Sequence, residues 1–203
     1  MAKGPKQKTP SLWNRPPFPQ QGDADKKEIW TAVGAAISAW GEYEAALGRL
    51  FTIFIAGDFP SPQARRAFGG IRSFEGRREL LRGSSEAFFH YQKGTLGEQV
   101  LFKAIFKDAW NAAQRRNDLA HGIAMAFTPE GKLEPDGFCL MPSYYDSSNR
   151  DPNDVAEFAY ISASINTFTS SFEGLITAPL ELGNSIIGRI RESRKGVPPR
   201  WPW

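Results

Sequence analysis

KKEIWTAVGAAISAWGEYEAALGRLFTIFIAG, residues 26–57, decides the fold class. With Trp40 as origin and about 100° per residue, Val33, Ala36, Ile37, Tyr43, Leu47, Phe51 and Phe54 fall within about 60° of it. An apolar stripe of that period predicts a long amphipathic helix from Lys26 to about Gly57, with Asp23 to Asp25 as its N-cap region. Asp58-Phe-Pro-Ser-Pro then breaks it.

Outward from this helix the chain keeps to the same class. A short helix is predicted over Pro62 to Phe68, ended by Gly69-Gly70. Ser73 opens a second main helix to about Lys93, with Leu80, Leu81, Ala87, Phe88 and Tyr91 as apolar positions. Thr95 and Glu98 have capping-box spacing. They start a third main helix that runs to about His121, where Gly122 is a natural C′ residue. Beyond it, Ile123 to Thr128 and Gly137 to Met141 are short and β-like, with Pro129-Glu-Gly between them. They predict a β-hairpin exposed on one side. Asp154 to about Thr177 is predicted as a fourth main helix. Pro179 kinks it or splits it from a further piece ending near Ser193. The fold class expected is all-α: an up-and-down helical bundle with a small β-hairpin insertion at about 123–141, after the third main helix.

Composition narrows the function classes. The 203 residues are 41% hydrophobic and 23% charged, enough for one sizeable core and incompatible with a wholly disordered chain. The longest uncharged run, Phe158 to Phe172, carries Ser, Thr and Asn throughout, so no membrane span or membrane partner is expected. MAKGPKQKTP has no apolar segment behind it, so no secretory signal is expected. A single cysteine, Cys139, excludes an internal disulfide, and two histidines leave almost no room for a Cys/His zinc site. No phosphate-binding glycine loop or nucleophile elbow is present. The expectation is a cytoplasmic protein with no metal and no cofactor.

The formal charge of +3 is unevenly spread. Residues 1–21 carry +4 and residues 187–203 another +4, which leaves 22–186 at −5. Both ends are rich in proline and aromatics, NRPPFP at 14–19 and VPPRWPW at 197–203. Residues 1–22 read as an extended basic arm, 23–194 as the helical domain and 195–203 as a Pro/Trp-rich tail. Such ends either touch RNA, lipid or a protein groove, or are solvated tails tucked onto their own domain.

Polar residues on apolar stripes are the candidate functional positions. With Phe106 as origin, Phe102, Trp110, Ala113 and Ala120 lie within about 40°, Asn117 at about 20° and His121 at about 60°. Asn117 and His121 thus continue the stripe, and Arg116 flanks it at about 80°. Glu44 lies about 40° from Trp40, inside the stripe of the first helix, where a carboxylate requires a cationic or hydrogen-bonding partner. Glu44, Arg116, Asn117 and His121 therefore form either a structural polar cluster or a site. Arg65-Arg66, Arg77-Arg78 and Arg115-Arg116 are basic pairs. Arg77, Arg78 and Arg115 are the RNA-binding candidates, against the alternative of solvated helix faces. His90 and Cys139 read as structural.

Arg116-Asn-Asp-Leu-Ala-His121-Gly122 resembles the Arg-x4-His motif of HEPN domains (higher eukaryotes and prokaryotes nucleotide-binding), and its place at the end of a third bundle helix is similar. Trp40-x3-Glu44-x2-Leu47 is similar to a pattern common in such domains, and the likeness covers roughly residues 26–180. The resemblance implies a homodimer in which Arg116 and His121 of both copies line a composite cleft. It implies metal-independent endoribonuclease activity of a toxin or phage-defence type: the ribose 2′-OH attacks the adjacent phosphorus, leaving a 2′,3′-cyclic phosphate and a 5′-OH. Asn117 would orient the Arg or the His, and Glu44 would fix the His121 tautomer or hold Arg116. RNA, a second copy, and an antitoxin or regulatory protein are the implied partners. Position 123 is Ile where some members carry a Tyr modified by a partner nucleotidyltransferase, so that pairing is not implied. Other members of the fold have lost catalysis and bind nucleotides or proteins, which is the alternative reading. A third is a helical scaffold whose tails do the binding.

Overall fold

Asp25 ends the N-terminal arm by accepting from the Lys27 amide at 2.9 Å, the bond that starts a helix by satisfying one of its orphan donors. The computed structural model describes residues 12–92, 94–143 and 156–195. In chain order these form α1 (Lys26–Ala56), α2 (Pro62–Gly70), α3 (Phe74–Gln92), α4 (Leu96–His121), β1 (Gly122–Ala126), β2 (Phe138–Pro142), α5 (Ser162–Leu175) and α6 (Thr177–Ser193). The chain is mostly helical with one small hairpin, the class that the α1 stripe predicts. Residues 1–11 of the basic arm and 196–203 of the tail lie outside the described residues.

Local signals account for most boundaries. Ser61 caps α2 and Ser73 caps α3, their hydroxyls accepting from Ala64 N and Gly76 N. The capping box of α4 is reciprocal: Thr95 N donates to Glu98 Oε2 at 2.9 Å and Glu98 N to Thr95 Oγ1 at 3.2 Å. Pro179 is buried in the first turn of α6, where no intrahelical N–H is required of it. It therefore starts a separate helix.

The contacts divide the described residues into two compact units. One takes residues up to Ser38 together with Gln114–Ser171, and the other takes Ala39–Ala113 with Phe172 onward. The second is a helical bundle. Its core holds Trp40, Leu47 and Leu50 of α1, Leu81 of α3 and Leu182 and Ile186 of α6. Trp40 meets Phe74 and Phe172 edge-on at 4.9 and 5.5 Å, and Phe54 meets Phe88 and Phe102 at 5.3 and 5.4 Å. Each such pair contributes about 0.5–1.5 kcal/mol beyond its buried area. Glu98, almost fully buried, also accepts from Arg189 Nε at 3.2 Å and Ser185 Oγ at 3.3 Å, tying the start of α4 to α6.

In the first unit β1 and β2 pair antiparallel, Ala124 opposite Leu140. The far edge of β2 is closed by two isolated bridges, Asp23 to Phe138 and Tyr160 to Leu140. These bridges cover an edge that would otherwise template pairing with another chain. The arm and hairpin backbones touch: Gly137 sits at φ 90°, and a Cβ there would lie 2.6 Å from Gly22 C. Cys139 packs fully buried, and burial first, then the Asp23 carboxylate, pushes its thiol up to about 12.

Two expectations need correction. The helix predicted from Asp154 begins at Ser162 instead; residues 154–155 lie outside the described residues. Residues 156–161 are non-helical, and Phe158 and Tyr160 stack at 4.6 Å beside the hairpin. The helix start is set by Asp23, whose carboxylate accepts from Ser162 N at 2.6 Å and Ser162 Oγ at 2.8 Å. This cap comes from a residue distant in sequence and is invisible to local pattern. Nor is Gly122 a left-handed C′ residue; it is the first residue of β1, and its φ is not positive. Its lack of a side chain answers a close approach: a Cβ would lie 2.6 Å from Leu140 Cγ and 2.9 Å from Asp118 O. Gly122→Ala is therefore expected to destabilise the protein by about 1–3 kcal/mol, read as a lower urea midpoint at unchanged slope.

Candidate functional site

The end of α4 is organised around Asp118, whose side chain is only 10% exposed. A carboxylate so far out of water needs partners, and three converge on it. Arg15 from the N-terminal arm donates Nε to Oδ2 at 3.1 Å and Nη2 to Oδ1 at 3.0 Å, a bidentate fork. Tyr160 donates its hydroxyl to Oδ2 at 2.7 Å. Arg115 Nη1 lies 3.3 Å from Oδ2 and donates to the Tyr160 hydroxyl oxygen at 3.4 Å. Arg15 also donates to Glu157 at 2.8 Å and lies over the Phe158 ring at 5.2 Å. The described part of the basic arm is thus fastened to its own unit. The Asp118 bonds, and secondarily those to Glu157, hold the Arg15 guanidinium above its already high range against the opposing effect of burial. The Tyr160 phenol is also raised, by burial first and then by Asp118.

Around this anchor the predicted residues take definite places. Asn117 and His121 are exposed, and the expectation that they continue a buried stripe is corrected. The buried face of α4 runs through Phe102, Ile105, Ala109, Ala112, Ala113 and Leu119, so Phe102 and Ala113 of the predicted stripe are buried, while the face as a whole is centred about 80° away from Phe106. The large aromatics misled the reading: small alanines mark the closely packed face, whereas Phe106 and Trp110 wall an open groove. Arg116 falls about 20° from Ile105. Its Nε is buried without a hydrogen-bond partner, and its Nη1 donates to Asn117 Oδ1 at 3.2 Å. Arg116 therefore leans inward under Asn117, and His121 faces solvent at the last helical position.

The remaining candidates are engaged. Glu44, in the bundle unit, has the cation it requires: Arg77 Nη1 donates to it at 3.0 Å, while Arg77 Nε donates to the Ile71 carbonyl at 2.8 Å. The Arg78 guanidinium lies over Phe106 at 3.8 Å and Trp110 at 4.9 Å, and its Nη1 is 3.6 Å from Glu79 Oε1. Arg115 belongs to the Asp118 network. His90 is exposed and edge-on to Tyr91 at 4.8 Å.

Sequence reasoning missed Asp118 and Arg15. Arg115 and Asp118 at i, i+3 were a legible pair; Arg15, 103 residues away, had no local signal. Among the described residues no group of His, Cys, Asp and Glu is placed to hold a metal ion, and no helix is long and apolar enough to cross a membrane. No family model matches the chain, and no curated protein or solved structure is detectably similar to it.

The raised phenols give a pH prediction. Burial raises Tyr43 as well as Tyr160, so both stay neutral in the folded protein when an unfolded tyrosine ionises near pH ~10. Their contribution is complete below that pH and is lost as pH climbs further. Absorbance at 295 nm should show these two phenols ionising above the ordinary range. Tyr160→Phe should remove one of them, and Asp118→Asn should lower the Tyr160 step while leaving Tyr43 unmoved.

Proposed function

We propose that the protein is a metal-independent endoribonuclease of the HEPN type, with Arg116 and His121 as its catalytic pair. One observation carries the reading: α4 ends by presenting an exposed imidazole five residues from a guanidinium that is held by its neighbour Asn117. These residue types can carry phosphodiester cleavage without a metal. His121 supplies an imidazole, which moves the proton between the ribose 2′-OH, which attacks phosphorus, and the departing 5′-oxygen. Arg116 binds the phosphate and stabilises its developing negative charge. Asn117, through its bond to Arg116, is a positioning residue. On one helix the two catalytic side chains diverge by about 140°, so a second copy brings two pairs to a shared cleft.

A second reading is favoured by the engagement of Arg77 with Glu44 and of Arg115 with Asp118. Guanidiniums already paired have less to offer a phosphate backbone. In this reading the domain is catalytically silent and recognises a nucleotide or a protein. A defence or toxin role, an antitoxin partner and a cytoplasmic location accompany the first reading as proposals.

The deciding experiment incubates the full chain with a broad set of RNAs in EDTA, wild type beside His121→Ala and Arg116→Ala, and analyses the product 3′ ends. Cleavage that leaves cyclic phosphates, and that falls by about 100-fold or more in each variant, is expected. Intact RNA with all three proteins, or equal cutting by the variants, overturns the ribonuclease assignment. Sedimentation of the wild type should report a two-copy mass.

A further inference from the structure

Three helices of the bundle unit, α1, α3 and α6, bring their C-terminal ends together. Gly57, just past α1, lies so close to the end of α6 that a Cβ there would be 3.3 Å from Ile190 Cδ1. Arg189 Nη1 of α6 donates at 3.2 Å to the carbonyl of Gln92, the last residue of α3. Between these ends is an open cavity of about 350 Å³, lined by Phe54, Ile55, Phe88, Tyr91, Ile190 and Arg194 among others. Two of its large apolar side chains face water, Tyr91 at 79% exposure and Ile55 at 57%. Clustered exposure of that kind marks an interaction surface.

Backbone acceptors sit beside that apolar surface, because the last four carbonyls of a helix have no intrahelical donor. At the end of α1, Ile53 O accepts from the Gly57 amide at 2.8 Å and Ala56 O from the Phe59 amide at 3.3 Å. The carbonyls of Phe54 and Ile55, two residues that line the cavity, have no partner among the described residues. Among the described residues no acid lines the cavity, and Asp58, next to Gly57, is held by Arg191 and Arg194. The place therefore suits an occupant with an aromatic body and N–H donors. To an anion it offers only the Arg194 guanidinium, which is already paired, and the negative ends of three helices.

We infer that this cavity docks the chain's own C-terminal segment, residues 196–203 (GVPPRWPW), with a tryptophan against Tyr91 and Ile55 and its indole N–H toward the α1 carbonyls. The attachment point selects that occupant. Arg194 lines the cavity, and the segment starts two residues later. At about 3.1 Å per extended residue, the six residues from Lys195 to Trp201 reach ~19 Å, ample for a cavity at whose rim they begin. A tether of that length holds the segment at an effective concentration on the order of millimolar, an advantage that no free partner has. The composition agrees with the site. Three prolines fix φ and lower the entropy cost of ordering. Trp201 and Trp203 each supply a large apolar face and one donor, and proline-rich segments dock on aromatic-lined surfaces. The segment has no acid to meet the helix ends. Of the two uses that the sequence leaves open for this tail, the inference selects packing on its own domain over an arm offered to RNA or lipid. It does not depend on the ribonuclease reading.

The test labels the full chain with fluorotryptophan and assigns the fluorine NMR signals of Trp201 and Trp203 from Trp201→Phe and Trp203→Phe. At least one of the two is expected to resonate away from its position in the free peptide of residues 196–203, and to lose its solvent isotope shift. Ile55→Ser/Tyr91→Ala, at two exposed positions and checked for intact helicity by circular dichroism, should return it to the free-peptide position. Leu133→Ser, at an exposed apolar side chain of the other unit, should leave it in place. The full chain carrying Trp201→Ala/Trp203→Ala should bind the fluorescein-labelled peptide about tenfold or more tighter than wild type, whose own segment competes. The inference is overturned if both tryptophans of the wild type resonate as in the free peptide, or if Ile55→Ser/Tyr91→Ala leaves their signals unmoved. It is also overturned if the shift fades on dilution as a two-copy mass is lost, which gives the segment to a second copy, or if the shift arises only when RNA is added.

Discussion

The nearly buried carboxylate of Asp118 constrains everything at the end of α4. Left unpaired it would cost several kcal/mol, so the surrounding unit is arranged to answer it. The arm brings Arg15, the segment before α5 brings Tyr160, and the helix itself brings Arg115. With Asp118 held on three sides, the last turns of α4 have a set rotation. That rotation turns Asn117 and His121 to solvent and Arg116 toward the packed face. Gly122 completes the arrangement, because the chain passes from helix to strand against Leu140 with no room for a side chain.

The bundle unit repeats the device with Glu98. This acid closes the capping box of its own helix and takes Arg189 from α6, 91 residues away. Glu44 and Arg77 form a third, less buried pair between α1 and α3. In each case a helix-borne carboxylate near the core is matched by an arginine that the sequence places far off. The consequence for function is a sorting of cations. Those at the carboxylates are structural, whereas Lys103 and Lys107 of α4 are exposed. Counting basic residues along the chain cannot make that distinction; counting the carboxylates that need them does.

Much of the fold was legible because its signals are local. The α1 stripe, the Ser73 cap, the Thr95–Glu98 box and the hairpin all declare themselves within a few residues. What escaped was set across the chain. Asp23 reads as a cap for the helix beside it, yet its carboxylate starts α5. Phe158 and Tyr160 read as helical, yet the edge of β2 draws them into extended backbone. The facing of α4 was missed for another reason: large aromatics weigh heavily in a hydrophobic stripe, but Ala109 and Ala112 permit the closest approach. Of the candidate residues, the heptapeptide that holds Arg116, Asn117 and His121 was found in sequence, and the Arg116–Asn117 contact was not.

The inward lean of Arg116 bears on how such a pair could act. General acid–base chemistry on a phosphodiester requires an imidazole and a guanidinium within hydrogen-bond reach of one phosphate. Five residues of regular helix separate these two side chains by about 140°, and the Asp118 network denies the helix end the freedom to unwind and close that angle. Arg116 can change rotamer by releasing Asn117, a weak bond between a charged donor and an exposed amide; His121 already faces outward. Convergence by side-chain motion alone is therefore limited to the guanidinium. A second surface, supplied by another copy of the chain, is the economical way to place the phosphate between the two. In the proposed mechanism assembly and catalysis are then the same requirement, and Asn117 bears on catalysis through its bond to Arg116.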